Sequence, residues 1–268
     1  MKSLWHDIQV LAVLVLVSAG IVSCSKDLPG AGDAEVSFTA TIPTDSRTRA
    51  FGDGTSINIL VVGVFNGSDE IARKSFPVSG STVDVRLTLA QNQTYDFVFW
   101  AYDKNSTIYD MADLTGIKMN VQEQPATFRQ AEAADAFFAV VKDIVITGSS
   151  SNRVELVRPL VQINVGTTGK AVAATFTVKG VPDTFHPFTN TVSGATNYIW
   201  NYTEVTTGKF TVDGVEYSYL AMGYLFAPAE GMQVEAELSL TDNGQATTFP
   251  QVELQANHRS NIIGRFTD

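Results

Sequence analysis

Residues 208–220 read GKFTVDGVEYSYL, two runs of β-branched and aromatic residues joined by Asp213-Gly214. A type I′ turn needs positive φ at both central residues, and an Asp-Gly pair adopts it with little strain. The segment therefore predicts a β-hairpin. The same signal recurs at Asn243-Gly244 between two later runs, and Asn66-Gly67 ends an earlier one.

Short strands are predicted along most of the remaining chain. ILVVGVF at Ile59 to Phe65 is one such run, and YDFVFWAY at Tyr95 to Tyr102 is apolar enough for a strand buried on both faces. One segment departs from this pattern. Arg129 to Val141 is alanine-rich with helical spacing and predicts a short helix, although its part Phe137 to Val141 is equally compatible with a strand.

Many strands at short spacing with few helices predict an all-β protein built from β-sandwiches. The break between two such domains is expected near Arg158-Pro159, because a loop and the strand VELV precede it and LVQINVG opens a new set of strands. We therefore predict an N-terminal β-sandwich domain at 35–158 and a C-terminal one at 159–268.

The composition excludes several classes of function. The 268 residues include 18 Lys and Arg against 28 Asp and Glu, a net charge of −10, and nucleic acid is a poor partner for such a surface. A single cysteine rules out a disulfide framework within the chain. With only three histidines, a zinc site would consist mostly of carboxylates. We predict no metal and no cofactor.

The N-terminus has the pattern of an exported lipoprotein. Lys2 is followed by an apolar run from Val10 to Val22, which at about 13 residues is too short to span a bilayer as a helix. Ser23-Cys24 at its end is similar to a lipobox, so residues 1–23 are predicted to be a signal peptide and Cys24 the lipidated residue. The alternative is an ordinary signal peptide with an incidental cysteine. Residues 24–34, small and polar, are predicted to be a tether.

The segment EVSFTATI, Glu35 to Ile42, alternates between apolar and polar residues. Val36, Phe38, Ala40 and Ile42 share one face, which predicts a half-buried strand.

Arg47 and Arg49 follow in the polar stretch PTDSRTRAFGDGTS, where a trypsin-like protease would find an accessible bond. Cleavage there would separate the lipidated end and the preceding strand from the remaining chain. If that strand belongs to the first sandwich, its loss leaves an open sheet edge and an apolar groove that another strand can enter. The alternative is two ordinary surface arginines in a loop.

Catalytic chemistry finds little support. Asp96, Asp103, Asp110 and Asp113 lie near aromatic residues, as glycosidase carboxylates do, but solvated strand ends and turn caps explain them equally well. His186 has no GxSxG serine elbow to serve. We predict no catalytic residues and no enzymatic activity.

Aromatic side chains suggest a possible sugar-binding surface. Trp100 lies in a core-like run, so the stretch Tyr198-Ile199-Trp200-Asn201-Tyr202 is the more plausible place for rings that stack on sugars. Packing in a core is the alternative for these residues.

Several strings in this chain are similar to fimbrillin-like lipoproteins of Bacteroidales-type bacteria, which build type V pili, and more specifically to an uncharacterised subfamily of them. The resemblance runs from about Glu35 to the C-terminus. The strings are TRAFGDGTSINILVVGVF, YDFVFWAY, DAFFAV, VELVRPLVQINVGT, YLAMGYLFAP and NHRSNIIGRFTD.

The resemblance implies two tandem transthyretin-like β-sandwich domains with short helical insertions. It also implies a lipid anchor at Cys24 in the outer membrane, exposure on the cell surface or in a fimbrium, and processing after Arg49 or Arg47. Donor-strand exchange would then replace the strand from Val36 to Ile42 and join the chain to identical or different pilin-like subunits. One departure is that Asp268 directly follows the last strand, so a separate donor tail is not expected. Stalk, anchor, accessory and tip roles all stay open.

We therefore expect a non-enzymatic fimbrillin-like surface lipoprotein with a structural or adhesive role, whose partners include a glycan or a host surface. The alternative is a surface glycan-binding lipoprotein, and a glycosidase is the third hypothesis.

Overall fold

The computed structural model describes residues 32–43, 53–120 and 127–268, and strands dominate these ranges. The elements up to residue 155 are β1 (Asp33–Thr41), β2 (Ile59–Asn66), β3 (Asp69–Pro77), β4 (Thr82–Ala90), β5 (Thr94–Tyr102), β6 (Tyr109–Asp110), β7 (Ile117–Met119), α1 (Phe128–Glu132), β8 (Ala136–Val145) and β9 (Ser150–Glu155). They are followed by β10 (Leu160–Thr167), β11 (Ala174–Val181), β12 (Thr184–His186), β13 (Thr191–Ser193), β14 (Thr196–Tyr202), β15 (Lys209–Val212), β16 (Val215–Phe226), β17 (Met232–Leu240), β18 (Ala246–Leu254) and β19 (Arg259–Gly264).

Two sheets from the first half form the N-terminal sandwich. Their strand orders are β4-β1-β9 and β3-β2-β5-β8. Apolar side chains from both sheets, among them Phe38, Val62, Phe97 and Phe99, fill one core between them. The alternation of apolar and polar residues in β1 and β4 buries one face of each strand in this core.

Two sheets from the second half form the C-terminal sandwich, with strand orders β15-β16-β10-β19 and β14-β11-β17-β18. Ile163 from one sheet and Phe176 and Trp200 from the other lie in its core. Together the two sandwiches confirm the all-β sandwich architecture predicted from the sequence.

The two sandwiches repeat one topology. The order β4-β1-β9 corresponds strand by strand, in chain order, to β16-β10-β19, and β3-β2-β5-β8 corresponds to β14-β11-β17-β18. In each sandwich the first strand is central and pairs antiparallel on one side. On its other side it pairs parallel with the last strand. β1 and β10 therefore occupy equivalent places.

The hairpin predicted from residues 208–220 is present. Val212 pairs with Val215 across the turn, and Asp213 and Gly214 have φ of 49° and 80°, as a type I′ turn requires. β17 and β18 also form a hairpin around Asn243-Gly244, where Gly244 has a φ of 66°.

The helix predicted over Arg129 to Val141 is much shorter in the structure. α1 covers Phe128–Glu132 and begins at Thr127, whose hydroxyl accepts a hydrogen bond from the backbone N–H of Gln130. From Ala136 onward the chain is β8, which pairs antiparallel with β5. The alternative of a strand for Phe137 to Val141 is therefore correct, because pairing and burial beside β5 outweigh the local helical spacing.

The two sandwiches are held together by an apolar layer and a small sheet. Phe97 and Phe99 of β5 face the core of the N-terminal sandwich, whereas Val98 and Trp100 on its opposite face join the other core cluster. The small sheet β13-β12-β7-β6 takes strands from both halves of the chain.

Contacts accordingly hold Gly32–Asp268 together as one compact unit. The domain limits 35–158 and 159–268 stay a prediction.

Candidate functional site

The candidate site is the place that β1 occupies in the N-terminal sandwich. β1 is the central strand of its sheet, antiparallel to β4 over Asp33 to Thr41 and parallel to β9 over Val36 to Thr41. Its pairing continues past the strand end, where the N–H of Ile42 donates to the carbonyl of Ser81 over 2.8 Å. Both backbone edges of β1 are therefore in use.

The four residues predicted to share the buried face of this strand do so. Val36, Phe38, Ala40 and Ile42 are each at most 1% exposed. The ring of Phe38 lies 4.8 Å from that of Phe97 and 5.2 Å from that of Phe99, centroid to centroid. Burying one such large apolar side chain contributes about 1.5–3 kcal/mol, so this strand is an integral part of the core.

The opposite face of β1 is polar and makes sheet contacts. The hydroxyl of Ser37 donates to the carbonyl of Ser150 over 3.1 Å, and that of Thr39 donates to the Asp84 carboxylate over 3.2 Å. These bonds fix the register of β1 between its two neighbours.

Removal of β1 would leave a slot between β4 and β9. These two strands run in opposite directions, because β4 is antiparallel and β9 parallel to β1. Any replacement strand would thus make one parallel and one antiparallel pair, whichever way it ran. Its direction and register would be selected by the apolar pockets that now hold the four buried side chains.

Cys24, Arg47 and Arg49 lie outside the described residues. The described residues on either side of the two arginines, Pro43 and Gly54, are near neighbours, since a side chain on Gly54 would touch the Pro43 carbonyl. Gly54 also lies against the ring of Phe137.

The four aspartates considered as catalytic acids act as local caps. Asp103 accepts hydrogen bonds from the side chain of Asn58 and the backbone of Asn105, and Asp96 accepts one from the backbone of Asp143. The backbone N–H groups two residues on bind Asp110 and Asp113 in the same way. The Thr115 hydroxyl and N–H both hydrogen-bond Asp113 and, ahead of the charge of Arg73, hold its pKa below the ordinary value.

His186 has a structural setting in the small sheet. Its Nε2 lies 2.7 Å from the Ser193 hydroxyl and its Nδ1 lies 3.2 Å from the carbonyl of Thr115. The ring thereby connects β12 with β13 and with the turn before β7.

The aromatic residues considered for sugar stacking are buried. Trp100, Tyr198, Trp200 and Tyr202 are each at most 1% exposed. The Tyr202 hydroxyl donates to the carbonyl of Met222. Because alternate residues of β14 point into the C-terminal sandwich, the proposed stacking surface at 198–202 is wrong and the packing alternative is correct.

Within the described ranges, no three His, Cys, Asp or Glu side chains come together as a metal site. None of the helices in those same residues has the length and apolar character to cross a bilayer.

Solved structures share this fold. One is a candidate adhesin from Bacteroides thetaiotaomicron, with a TM-score of 0.53 and 13% identity, covering 84% of this chain and 82% of that one. Another, a candidate polysaccharide-binding protein from the same species, gives 0.50 and 12%, covering 80% and 78%. The tip fimbrial protein Mfa3 of Porphyromonas gingivalis gives 0.46 and 14%, covering 82% of each.

The predicted resemblance to fimbrillin-like proteins is confirmed at the level of the fold. A comparison with curated proteins finds no match. Residues 29–267 match the family described as a family of unknown function, DUF6562. That match takes in every strand of both sandwiches, and the chain therefore belongs to the DUF6562 family.

Proposed function

We propose that this chain is a non-enzymatic, fimbrillin-like surface protein that acts in adhesion or as a subunit of a pilus. The observation that carries the proposal is the central place of β1, which lies at the N-terminal end of the chain just before Arg47 and Arg49. A strand in this position can be cut away by one proteolytic event and replaced by a strand from another subunit. The fold shared with Bacteroides adhesin candidates supports the same role.

The proposal includes a lipid anchor. Residues 1–23 act as a signal peptide, Cys24 carries the acyl chains, and 24–34 form the tether to β1. Several acyl chains on one residue give stable attachment, which would place the protein in the outer membrane, facing the cell surface or entering a fimbrium. Metabolic labelling with an alkyne fatty acid tests this step. Native protein should be labelled and Cys24→Ala should not, and equal labelling would contradict it.

Maturation by an arginine-specific protease is the second step. Cleavage after Arg49, or after Arg47, would leave β1 attached to the body only through sheet pairing and its four buried side chains. Incubation of the full chain with such a protease, followed by N-terminal sequencing, should give a new terminus at Ala50 or Thr48. The matched control is the double variant Arg47→Lys and Arg49→Lys, which should resist cleavage there. Cleavage elsewhere, with none between Arg47 and Ala50, would contradict the step.

Strand exchange is the third step. After cleavage, a fluorescent peptide of residues 33–42 should bind to the processed protein and exchange with the resident strand. The same peptide with Phe38→Asp should not bind, because a carboxylate would enter the pocket between Phe97 and Phe99. Electron microscopy of concentrated processed protein then tests for filaments. Equal binding of both peptides would contradict the slot.

A surface glycan-binding role is the second candidate. Burial of the aromatic residues at 198–202 removes its original support. A polar groove in the C-terminal sandwich, between β18 and β19, now favours it.

A further inference from the structure

A groove of about 530 Å³ opens at one flank of the C-terminal sandwich. It lies between β18 and β19, which are the edge strands of the two facing sheets. This volume lies within the range of small-ligand sites, roughly 300–1,000 Å³. Polar residues and one aromatic residue line it, including Phe249, Gln251, Glu253, His258, Arg259 and Asn261.

The polar groups on the β18 side of the groove are available to a ligand. Gln251 and Glu253 are exposed, and neither side chain has a hydrogen-bond partner among the residues that the structure describes. An amide and a carboxylate side by side supply both donors and acceptors.

The polar groups on the β19 side are held in place from beneath. The Nε of Arg259 donates to Oε1 of Gln162 over 3.1 Å, and Nδ2 of Asn164 donates to Oδ1 of Asn261 over 2.9 Å. Gln162 and Asn164 also bind each other, over 2.9 Å.

Gln162 and Asn164 are only 1% and 3% exposed. Burying two amides in a strand costs free energy unless they are hydrogen-bonded, and here their bonds orient two side chains that line the groove. Such support from buried groups is typical of a preorganised binding site.

An apolar patch accompanies these polar groups. Phe249 is half-buried, and Phe266 packs edge-on against it with ring centroids 5.7 Å apart. A partly exposed ring beside amide, carboxylate and guanidinium groups suits the C–H face and the hydroxyls of a sugar.

Strand addition fits this groove poorly. Pro250 in β18 has no backbone N–H to offer an incoming strand. The pairing of β17 with β18 also shifts register there. In addition, the Ser260 hydroxyl of β19 occupies the carbonyl of Glu253 in β18. The two edges are therefore protected in the way that natural sheets avoid edge pairing.

We propose that the groove between β18 and β19 binds a neutral oligosaccharide, which rests on the adhesive role proposed above and names its ligand class. The net charge of −10 and the carboxylate of Glu253 disfavour an anionic glycan. Binding would use Gln251, Glu253 and Arg259 for the hydroxyls and Phe249 for the apolar face of the ring.

Affinity electrophoresis of the full chain tests the site. The gels contain starch-type glucan, mannan, xylan or galactan as neutral probes and polygalacturonate as the anionic probe. A neutral polysaccharide should retard the native chain, and polygalacturonate should not. Gln251→Ala and Glu253→Gln should each weaken the retarding interaction by about tenfold, as expected when a ligand loses a direct hydrogen bond.

Gln245→Ala and Glu204→Gln serve as matched controls, since both residues are exposed and lie outside the groove. Both should behave like the native chain, and thermal melting should show that all four variants are folded. No retardation by any neutral probe, stronger retardation by polygalacturonate, or equal retardation of the native chain and both groove variants would overturn the proposal. None of these results changes the cleavage and peptide-exchange experiments on β1, so failure of the groove is distinguishable from failure of the surface role.

Discussion

Arg158 holds the buried carboxylate of Asp135 through two hydrogen bonds, from Nε to Oδ1 over 2.6 Å and from Nη2 to Oδ2 over 2.8 Å. Asp135 precedes β8, and Arg158 stands just before Pro159 and β10. The guanidinium also lies over the ring of Phe137, 4.7 Å from its centroid. Burial raises the pKa of Asp135 and the charge of Arg158 opposes that rise. This pair therefore joins the end of the first half of the chain to the start of the second.

We expect Asp135→Asn to lower the free energy of unfolding by about 3–5 kcal/mol, because it leaves the buried guanidinium without its counter-charge. The control is Glu235→Gln, which breaks an exposed pair with Lys179 and should barely move the urea midpoint. The double variant Asp135→Leu and Arg158→Met should recover much of the loss. Equal midpoints for Asp135→Asn and Glu235→Gln would show that the buried pair is unimportant.

The buried face of β1 supplies a second prediction. Phe38→Ala should cost about 3–5 kcal/mol of unfolding free energy, as is usual when a core phenylalanine is truncated. Thr39→Ala, on the polar face of the same strand, removes one exposed hydrogen bond and should cost less than about 1.5 kcal/mol. Urea unfolding of both variants in the full chain measures the difference. Similar losses would mean that β1 is held mainly by its backbone pairing.

A third prediction concerns the close approach of two sheets in the C-terminal sandwich. Gly223 in β16 lies under the indole of Trp200, and a methyl group at that position would overlap the ring. Gly223→Ala should therefore destabilise the protein by about 1–3 kcal/mol through overpacking. Gly80→Ala is the matched control, since no atom lies within 4 Å of an added methyl group there. A melting temperature unchanged by Gly223→Ala would exclude this tight contact.

Alkaline pH should unfold the protein through its buried tyrosines. Burial raises the pKa of Tyr219 from 10.0 to about 12, and burial likewise raises the pKa values of Tyr109, Tyr198, Tyr202 and Tyr224. Between these limits the folded state binds more protons than the unfolded state, so the free energy of unfolding falls as pH rises. Its contribution from these residues is complete below pH 10.

Absorbance at 295 nm and circular dichroism, followed from pH 9 to about 13, measure this effect. Ionisation of the buried tyrosines should coincide with loss of structure and should be reversible only if refolding is. Full ionisation near pH 10 with the fold intact would contradict the burial of these hydroxyls.

Local patterns in the sequence were enough to predict most strands. The Asp213-Gly214 turn can be read without tertiary context, because its conformation is dictated by the two residues that adopt it. Alternation in Val36 to Ile42 likewise predicts which face of β1 is buried. The limit of local reasoning is visible at Ala136, where helical spacing continues but the chain enters a strand, since the neighbouring β5 offers hydrogen bonds and a core that no local pattern reveals.

By itself the sequence determined the all-β class, the hairpins, the buried face of β1 and the family resemblance, because each depends on residues close together in the chain. Only the tertiary structure decided that β1 is central between β4 and β9, that Tyr198, Trp200 and Tyr202 are core residues, and that the two sandwiches repeat one topology. It also brought Gln162 and Asn164 beneath Arg259 and Asn261, nearly a hundred residues away in sequence. Strand pairing and sheet packing join distant segments, and periodicity along the chain carries no record of which segments meet.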